Sequence, residues 1–277
     1  MTIAVFDSGF GGLTVLRELL PLIPGAHYIY LGDTARLPYG AKSRQTIVRY
    51  ALSSAAFLLS QGADMLVVAC NTASALALDE LRAALPIPVI GVIEPGVQAA
   101  HSLHPTPCTL HPAVLVLATA ATVQSHAYAQ ACTALNLTAY EKACPLLVPL
   151  VEEGWINHPV TAEVLRIYLS EALAAAPTVT TLVLGCTHYP LIKPLIERTL
   201  TQLNHPLHIV DSATATAQAA RQLIPLDLSS RSAAEGSASV SPATTFYATD
   251  SVEKFQRLGS QFLGQPLPEV HLLDLGG

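Results

Sequence analysis

Two cysteines in similar local sequences are the residues of this chain best suited to acid–base chemistry. Cys70 lies in "MLVVACNTAS", and Cys186 lies in "TLVLGCTHYP". In each segment a strand-like apolar run ends at the cysteine, and polar residues follow at once. A thiol placed there should meet the N-terminus of the next helix, whose partial positive charge lowers the thiol pKa. The alternative is a pair of buried structural thiols, since free cysteine is among the most buried residue types.

Several acid–base groups accompany the cysteines. His188 follows Cys186 by two positions and can hold the thiol proton or stabilise a thiolate, although a single histidine is more often structural. Glu152 and Glu153 in "LLVPLVEEGW" are acids in an apolar run. Either one is ordinary solvated charge or, in a cleft, a hydrogen-bond partner for a base.

Two further loops follow the first two strand-like runs. Asp7 and Ser8 open "FDSGFGG", which is suited to a backbone nest for a carboxylate or to a tight turn that caps a helix. The loop "LGDTARLPYG" presents Tyr39 and Gly40 and can be a ligand loop or an ordinary βα connection. Asp33 in the same loop is a ligand contact or a helix cap.

The candidate residues favour one kind of reaction. The sequence contains neither a GK[ST] phosphate loop nor a Cys/His cluster with zinc spacing, and no lysine lies in the candidate motifs. Two opposed thiols without a cofactor fit removal of a proton from one face of a carbon and its return on the other face. We therefore expect a proton-transfer enzyme that needs neither a cofactor nor a metal.

The elements that must position these residues alternate between strands and helices. Short β-branched runs such as "YIYL" and "AVLVLA" alternate with segments of helical i, i+3, i+4 spacing. Apolar strands separated by helices indicate parallel α/β sheets covered on both faces. The pattern occurs twice, which predicts two similar four-strand α/β domains related by pseudo-symmetry. Cys70 and Cys186 end the third strand of each half and should face each other across one cleft.

The predicted domains have unequal sequence ranges. The first comprises residues 1–96 plus 212–277, and the second comprises residues 97–211. The Ser/Ala-rich segment 228–245 is expected to be a flexible loop. After it, "FYATD" predicts a strand and "SVEKFQRLGSQFL" predicts a helix capped by Ser251, and both should return to the first domain.

The composition argues against other classes of protein. The 277 residues are 51% hydrophobic and 12% charged, which is ample for a core. The net charge of −6 and the scattered 14 Lys plus Arg argue against nucleic acid or anionic lipid as a partner. We find neither a membrane span nor a signal peptide. The odd, sparse set of five cysteines favours free thiols in a reducing cytoplasm, with Cys108, Cys132 and Cys144 structural.

Six motifs carry a family resemblance. In chain order they are "FDSGFGGLTVLREL", "YLGDTARLPYG", "ACNTASA", "PVIGVIEPG", "CPLLVPLVEEG" and "LGCTHYPLI". They resemble the glutamate racemase family of the cofactor-independent aspartate/glutamate racemase superfamily, from about residue 3 to about residue 224 and weakly again in "FYATDSVEKFQRLGSQFLG". The resemblance implies two α/β domains with the site between them. It also implies interconversion of L- and D-glutamate, which supplies D-glutamate for peptidoglycan.

The resemblance assigns roles to individual residues. Cys70 and Cys186 correspond to the cysteines that work on opposite faces of Cα. The auxiliary acids correspond to Asp7 and to one of Glu152 or Glu153, here taken as Glu152. The family's substrate contacts correspond to Asp7, Ser8, Tyr39, Gly40, Asn71, Thr72, Thr187 and His188, with Thr119 and Thr122 less closely matched.

Other expectations also follow from the family. Its members are often dimers, so a homodimer is expected. The alternatives to a glutamate racemase are a racemase for aspartate or another amino acid, and a binding or regulatory protein on a degenerate racemase scaffold. The intact cysteine pair argues against the last of these.

Overall fold

The computed structural model describes residues 1–104, 112–224 and 243–276. The strands in these ranges are β1 (Thr2–Asp7), β2 (His27–Gly32), β3 (Met65–Val68), β4 (Val89–Gly91), β5 (Ala113–Ala118), β6 (Thr138–Ala143), β7 (Thr181–Gly185), β8 (His208–Asp211), β9 (Thr244–Ala248) and β10 (Val270–Leu272). The helices are α1 (Leu13–Leu22), α2 (Arg44–Ser60), α3 (Asn71–Ala84), α4 (Ile93–Ser102), α5 (Ala120–Ser125), α6 (Ala127–Ala134), α7 (Leu147–Glu152), α8 (Pro159–Ala175), α9 (Lys193–Gln202), α10 (Ser212–Gln222) and α11 (Val252–Leu263). No helix in the described ranges is both long enough and apolar enough to cross a bilayer.

The strands form two parallel sheets. The first has the order β10-β9-β2-β1-β3-β4, and the second has the order β6-β5-β7-β8. When β1 to β4 are matched with β5 to β8, the two halves have the same order, β2-β1-β3-β4 and β6-β5-β7-β8. This confirms the predicted α/β class with two similar parallel sheets. The strands are apolar because helices cover both faces of each sheet, and β7 is buried along its whole length.

The first sheet has six strands, because β9 and β10 extend the predicted four beyond β2, and of these two additions only β10 was not predicted. Thr244 and Thr245, predicted to lie in the flexible loop 228–245, pair with Tyr28 and Ile29 of β2. Residues 225–242 lie outside the described part of the chain, so the prediction for the rest of that loop is not tested. The return of β9 to the first sheet is as predicted.

Helix α11 packs against the first sheet through its aromatic side chains. Phe255 is fully buried, and its ring centroid lies 5.7 Å from that of Phe10 and 5.9 Å from that of Tyr30. Ser251 precedes the helix as predicted, but its φ is 50° and its side chain makes no capping bond. The Ser251 amide instead donates to Asp250 Oδ1 at 2.7 Å.

The predicted domain limits stay a prediction. The limit between residues 96 and 97 falls within α4, and the limit between residues 211 and 212 falls at the start of α10. Helices α4 and α10 both pack in the same buried core as β7. This core contains residues from both halves and so joins them.

Candidate active site

Both predicted cysteines line one cavity between the carboxyl ends of the two sheets. Cys70 follows β3 and Cys186 follows β7, and each residue is 5% exposed. The cavity has a volume of about 440 Å³. Its lining includes most of the other predicted site residues: Ser8, Tyr39, Gly40, Asn71, Thr72, Thr119, Glu152, Glu153, Thr187 and His188. Asp7 and Thr122 do not line the cavity, but each interacts with a residue that does.

On one side of the cavity a thiol, an imidazole and a carboxylate follow one another. Cys186 Sγ lies 3.9 Å from His188 Nδ1, and His188 Nε2 lies 3.2 Å from Glu152 Oε1. Burial lowers the pKa of His188, but the hydrogen bonds to Cys186 and Glu152 outweigh burial and raise the pKa to about 10. The raised pKa favours a positively charged imidazole beside the Cys186 sulfur at neutral pH.

The surroundings of Cys70 are different. Cys70 is the N-cap of α3, where its Sγ accepts from the Ala73 amide at 3.4 Å and its thiol donates to Ser8 Oγ at 3.4 Å. Burial and the nearby Asp7 carboxylate raise the pKa of Cys70 to about 12. The Ala73 amide at the helix N-terminus lowers the pKa of Cys70 as expected, but burial and Asp7 outweigh this amide and the hydrogen bonds to Ser8.

Asp7 lies at the end of β1 beneath the glycine-rich turn. Its Oδ2 accepts from the Gly9 amide at 2.8 Å, and its buried Oδ1 has no partner among the described residues. Burial raises the pKa of this carboxyl, while the positive charge of His188 and the turn amides oppose the rise. Asp7 thus keeps a free acceptor oxygen close to Cys70.

Polar contacts join the two halves beside the cavity. Thr72 Oγ1 at the start of α3 lies 3.1 Å from Thr119 Oγ1 and 3.3 Å from Thr122 Oγ1. The neighbouring Asn71 accepts at Oδ1 from the Tyr128 hydroxyl, at 2.7 Å. Its buried Nδ2 has no partner among the described residues, so a donor remains available beside Cys70.

The Tyr39 loop lines the cavity, but the Tyr39 hydroxyl is bonded to a protein carboxylate and is not free for a ligand. The Tyr39 hydroxyl donates to Asp33 Oδ2 at 2.5 Å, and Thr249 donates to Asp33 Oδ1 at 2.9 Å. Asp33 is fully buried and makes no capping bond to the 3₁₀ turn at Thr34–Arg36. The helix-cap prediction for Asp33 is therefore wrong. Asp33 also lies outside the cavity lining, and its carboxylate fixes Tyr39 and Thr249, the residue that follows β9.

The structure distinguishes the two neighbouring glutamates. Glu152 is bonded to His188, whereas Glu153 is exposed at the edge of the cavity and has no such bond. Cys132 and Cys144 are fully buried, as expected of structural thiols, although Cys144 also lines the cavity. Cys108 lies outside the described residues. In the described ranges no group of three or more His, Cys, Asp or Glu side chains is arranged to hold a metal ion.

Lys254 is a cavity residue that the sequence interpretation missed. It comes from α11, lines the cavity, and has its Nζ 3.8 Å from Glu152 Oε2. Burial raises the pKa of Glu152, but His188 and Lys254 outweigh burial and leave the pKa below its ordinary value. No local motif marks Lys254, because it reaches the cavity only through the docking of α11. Its one advance signal was the weak return of family resemblance in that segment.

The chain is similar in sequence and in structure to one family of proteins. The sequence profile of the Asp/Glu/hydantoin racemase family matches residues 13–220. A glutamate racemase of Koribacter versatilis is 50% identical over 99% of this chain and 98% of its own length. A glutamate racemase of Geobacter metallireducens is 42% identical over 99% of this chain and 96% of its own. The crystal structure of glutamate racemase from Francisella tularensis in complex with D-glutamate matches with a TM-score of 0.84 and 35% identity, over 99% of this chain and 97% of that one.

Proposed function

The chain belongs to the Asp/Glu/hydantoin racemase family, and we propose that it interconverts L- and D-glutamate with Cys70 and Cys186 as the two bases. Glutamate racemase is the activity of its full-length relatives. The observation that carries the assignment of bases is the placement of two thiols, from equivalent strands of two similar sheets, in one cavity.

The unequal surroundings of the thiols support a starting state with one thiolate and one thiol. Cys186 lies beside the cationic His188, whereas Cys70 lies beside the carboxylate of Asp7. In the first step the Cys186 thiolate takes the proton from Cα, and the electron pair stays on the substrate. In the second step the Cys70 thiol gives its proton to the opposite face of Cα. The products are the other enantiomer, a Cys186 thiol and a Cys70 thiolate, and the reverse reaction starts from this state.

Glu152 and His188 act together in this proposal. His188 is held between Cys186 and Glu152, and its positive charge offsets the negative charge of the Cys186 thiolate. Burial of both thiols strengthens these interactions, because the local dielectric constant is low.

Substrate binding uses the free polar groups of the cavity. Asn71 lines the cavity, and its unpartnered Nδ2 is a donor for a carboxylate. The substrate contact predicted for Asp7 stays a prediction, because Asp7 lies behind the lining, beside Cys70. Ser8, Gly40, Thr72, Thr119 and Thr187 supply further hydroxyl and backbone groups from the lining. No arginine lines the cavity among the described residues, so backbone and side-chain N–H groups carry much of the carboxylate recognition.

The proposal includes a cellular role. A glutamate racemase supplies D-glutamate for peptidoglycan synthesis, and we assign that reaction to the cytoplasm. The four described cysteines, all unpaired, are typical of a reducing compartment. The homodimer expected from the family belongs to the same proposal, and sedimentation equilibrium would test it.

Racemisation in D₂O tests the proposed function. L-glutamate should give D-glutamate that carries deuterium at Cα, because the thiols exchange their protons with solvent between turnovers. L-aspartate under the same conditions is the specificity control and should react far more slowly. If folded protein yields neither D-glutamate nor Cα deuterium, the proposal fails.

A further inference from the structure

We propose that Tyr128 is a positioning residue, which fixes the Asn71 amide with its Nδ2 toward the substrate and holds the two cysteine-bearing turns in register. This inference rests on the proposed function, because it takes Asn71 as a substrate contact. Tyr128 belongs to none of the sequence motifs considered above. It lies in α6, in the half of the chain that carries Cys186, whereas Asn71 belongs to the half that carries Cys70.

The first argument is the hydrogen bond from Tyr128. Its side chain is fully buried, and its hydroxyl donates to Asn71 Oδ1 at 2.7 Å. Burial raises the pKa of Tyr128, so the phenol keeps its proton at any working pH and stays a donor. A donor aimed at Oδ1 leaves Nδ2 as the free end of the amide, and Nδ2 is buried without a partner among the described residues, in a residue that lines the cavity. An unpaired buried donor is costly unless a ligand satisfies it.

The second argument is the position of the Tyr128 ring. A Cβ atom added at Gly185 would lie 3.1 Å from Cε2 of Tyr128, so the ring packs closely against the residue that precedes Cys186. At the other end of the same side chain, the hydroxyl holds the residue that follows Cys70. One rigid side chain therefore spans the two turns that present the thiols.

The third argument is electrostatic. If the amide were flipped, the free end of Asn71 would be the Oδ1 acceptor rather than the Nδ2 donor. Glutamate brings two carboxylates, which need donors. An amide donor at this position attracts a substrate carboxylate, whereas an amide oxygen repels it.

The main test is Tyr128→Phe, which removes only the hydroxyl. Loss of one positioning hydrogen bond should raise the KM for both glutamate enantiomers about three- to tenfold, with a smaller change in kcat. Tyr28→Phe is the matched control, since Tyr28 is equally buried and donates to the Leu19 and Ile23 carbonyls away from the cavity. It should leave KM unchanged. An unchanged KM in Tyr128→Phe, or an equal rise in the control, overturns the inference.

A double-mutant cycle separates positioning from general stability. In an Asn71→Ala background, Tyr128→Phe should change KM by less than about twofold, because its effect passes through the amide. Full additivity of the two substitutions overturns the inference.

Asn71→Asp tests the amide orientation without altering Tyr128. It puts an oxygen where Nδ2 should face the substrate, so KM should rise at least as much as in Asn71→Ala. Near-normal KM in Asn71→Asp shows the opposite orientation and overturns the inference. If Asn71→Ala itself has normal KM while the D₂O assay is positive, the inference fails and the racemase proposal stands.

Discussion

The Sγ atom of Cys186 lies 3.9 Å from Nδ1 of His188, in a cavity where the imidazole is almost completely buried. Among the described residues no imidazole acts on the Cys70 thiol, which instead lies beside the carboxylate of Asp7. The two halves of the site are therefore similar in backbone topology and different in electrostatics. A two-base reaction needs this difference, because one sulfur must be deprotonated to accept the substrate proton while the other sulfur is protonated to donate one.

Removal of either thiol should abolish racemisation. Cys70→Ala and Cys186→Ala should each lower kcat by about a thousandfold, within the range typical of a positioned acid–base group. Racemisation followed by circular dichroism of glutamate measures the effect. Cys132→Ala is the matched control, because Cys132 is equally buried and does not line the cavity. Full activity in either of the first two variants rules out the two-thiol assignment.

The His188–Glu152 pair should make stability depend on pH in the alkaline range. The folded pKa of His188 is raised from 6.5 to about 10, so the folded state holds this proton more tightly than the unfolded state. The stabilisation is therefore complete below a pH of about 6.5 and is lost as the pH rises towards about 10. Glu152→Gln removes one group that raises this pKa, and the decline in unfolding free energy should become shallower.

Urea unfolding at a series of pH values measures this decline. Glu153→Gln removes the neighbouring negative charge without touching His188, and it should keep the wild-type slope. Equal slopes in Glu152→Gln and the wild type show that the pair does not set the pKa of His188.

The sequence predicted the sheets well because buried parallel strands differ strongly from their surroundings. The run "AVLVLA" is apolar throughout and becomes β5, with Val114 to Ala118 fully buried. The third strands were the most informative, because each ends in a cysteine followed by polar residues. The same turns form the centre of the cavity.

Other elements could not be predicted from local pattern. Helix α10, "SATATAQAARQ", buries small residues such as Ala213 and Ala217 against neighbouring helices, so it lacks the large apolar residues that reveal a helical period. The three-residue strand β10 exists only because β9 offers a free edge. Tyr128 and Lys254 reach the site through tertiary packing. The raised pKa of Cys70 has the same origin, since burial depends on the whole fold.

Gly11→Ala should disable the site through steric pressure on His188. A Cβ at Gly11 would lie 2.1 Å from Thr187 Oγ1 and 2.6 Å from His188 Nδ1, so the loop after β7 must move. Overpacking of this kind costs about 1–3 kcal/mol of stability, and displacement of His188 from Cys186 should also lower kcat at least tenfold. Thermal melting and steady-state kinetics measure both effects.

The control for Gly11→Ala is Gly96→Ala within α4. Its Cβ would lie 3.4 Å from the nearest atom, which belongs to Ser212, and alanine is favoured in a helix. Activity should be retained there. Wild-type kcat in Gly11→Ala would show that the loop after β7 adapts without moving the imidazole.

Lys254 should shift the acidic limb of the pH–rate profile through Glu152. The Lys254 Nζ atom lies 3.8 Å from Glu152 Oε2 and helps to keep the pKa of that carboxyl low. In Lys254→Met the Glu152 carboxyl should take up a proton at higher pH, so kcat/KM should fall earlier as the solution is acidified. The displacement should be less than about one pH unit, because a half-exposed ion pair contributes only about 0–1 kcal/mol. Lys254→Arg keeps the charge and should restore the wild-type profile. If Lys254→Met has the wild-type acidic limb, or if the arginine variant fails to restore it, the positive charge of Lys254 does not act on Glu152.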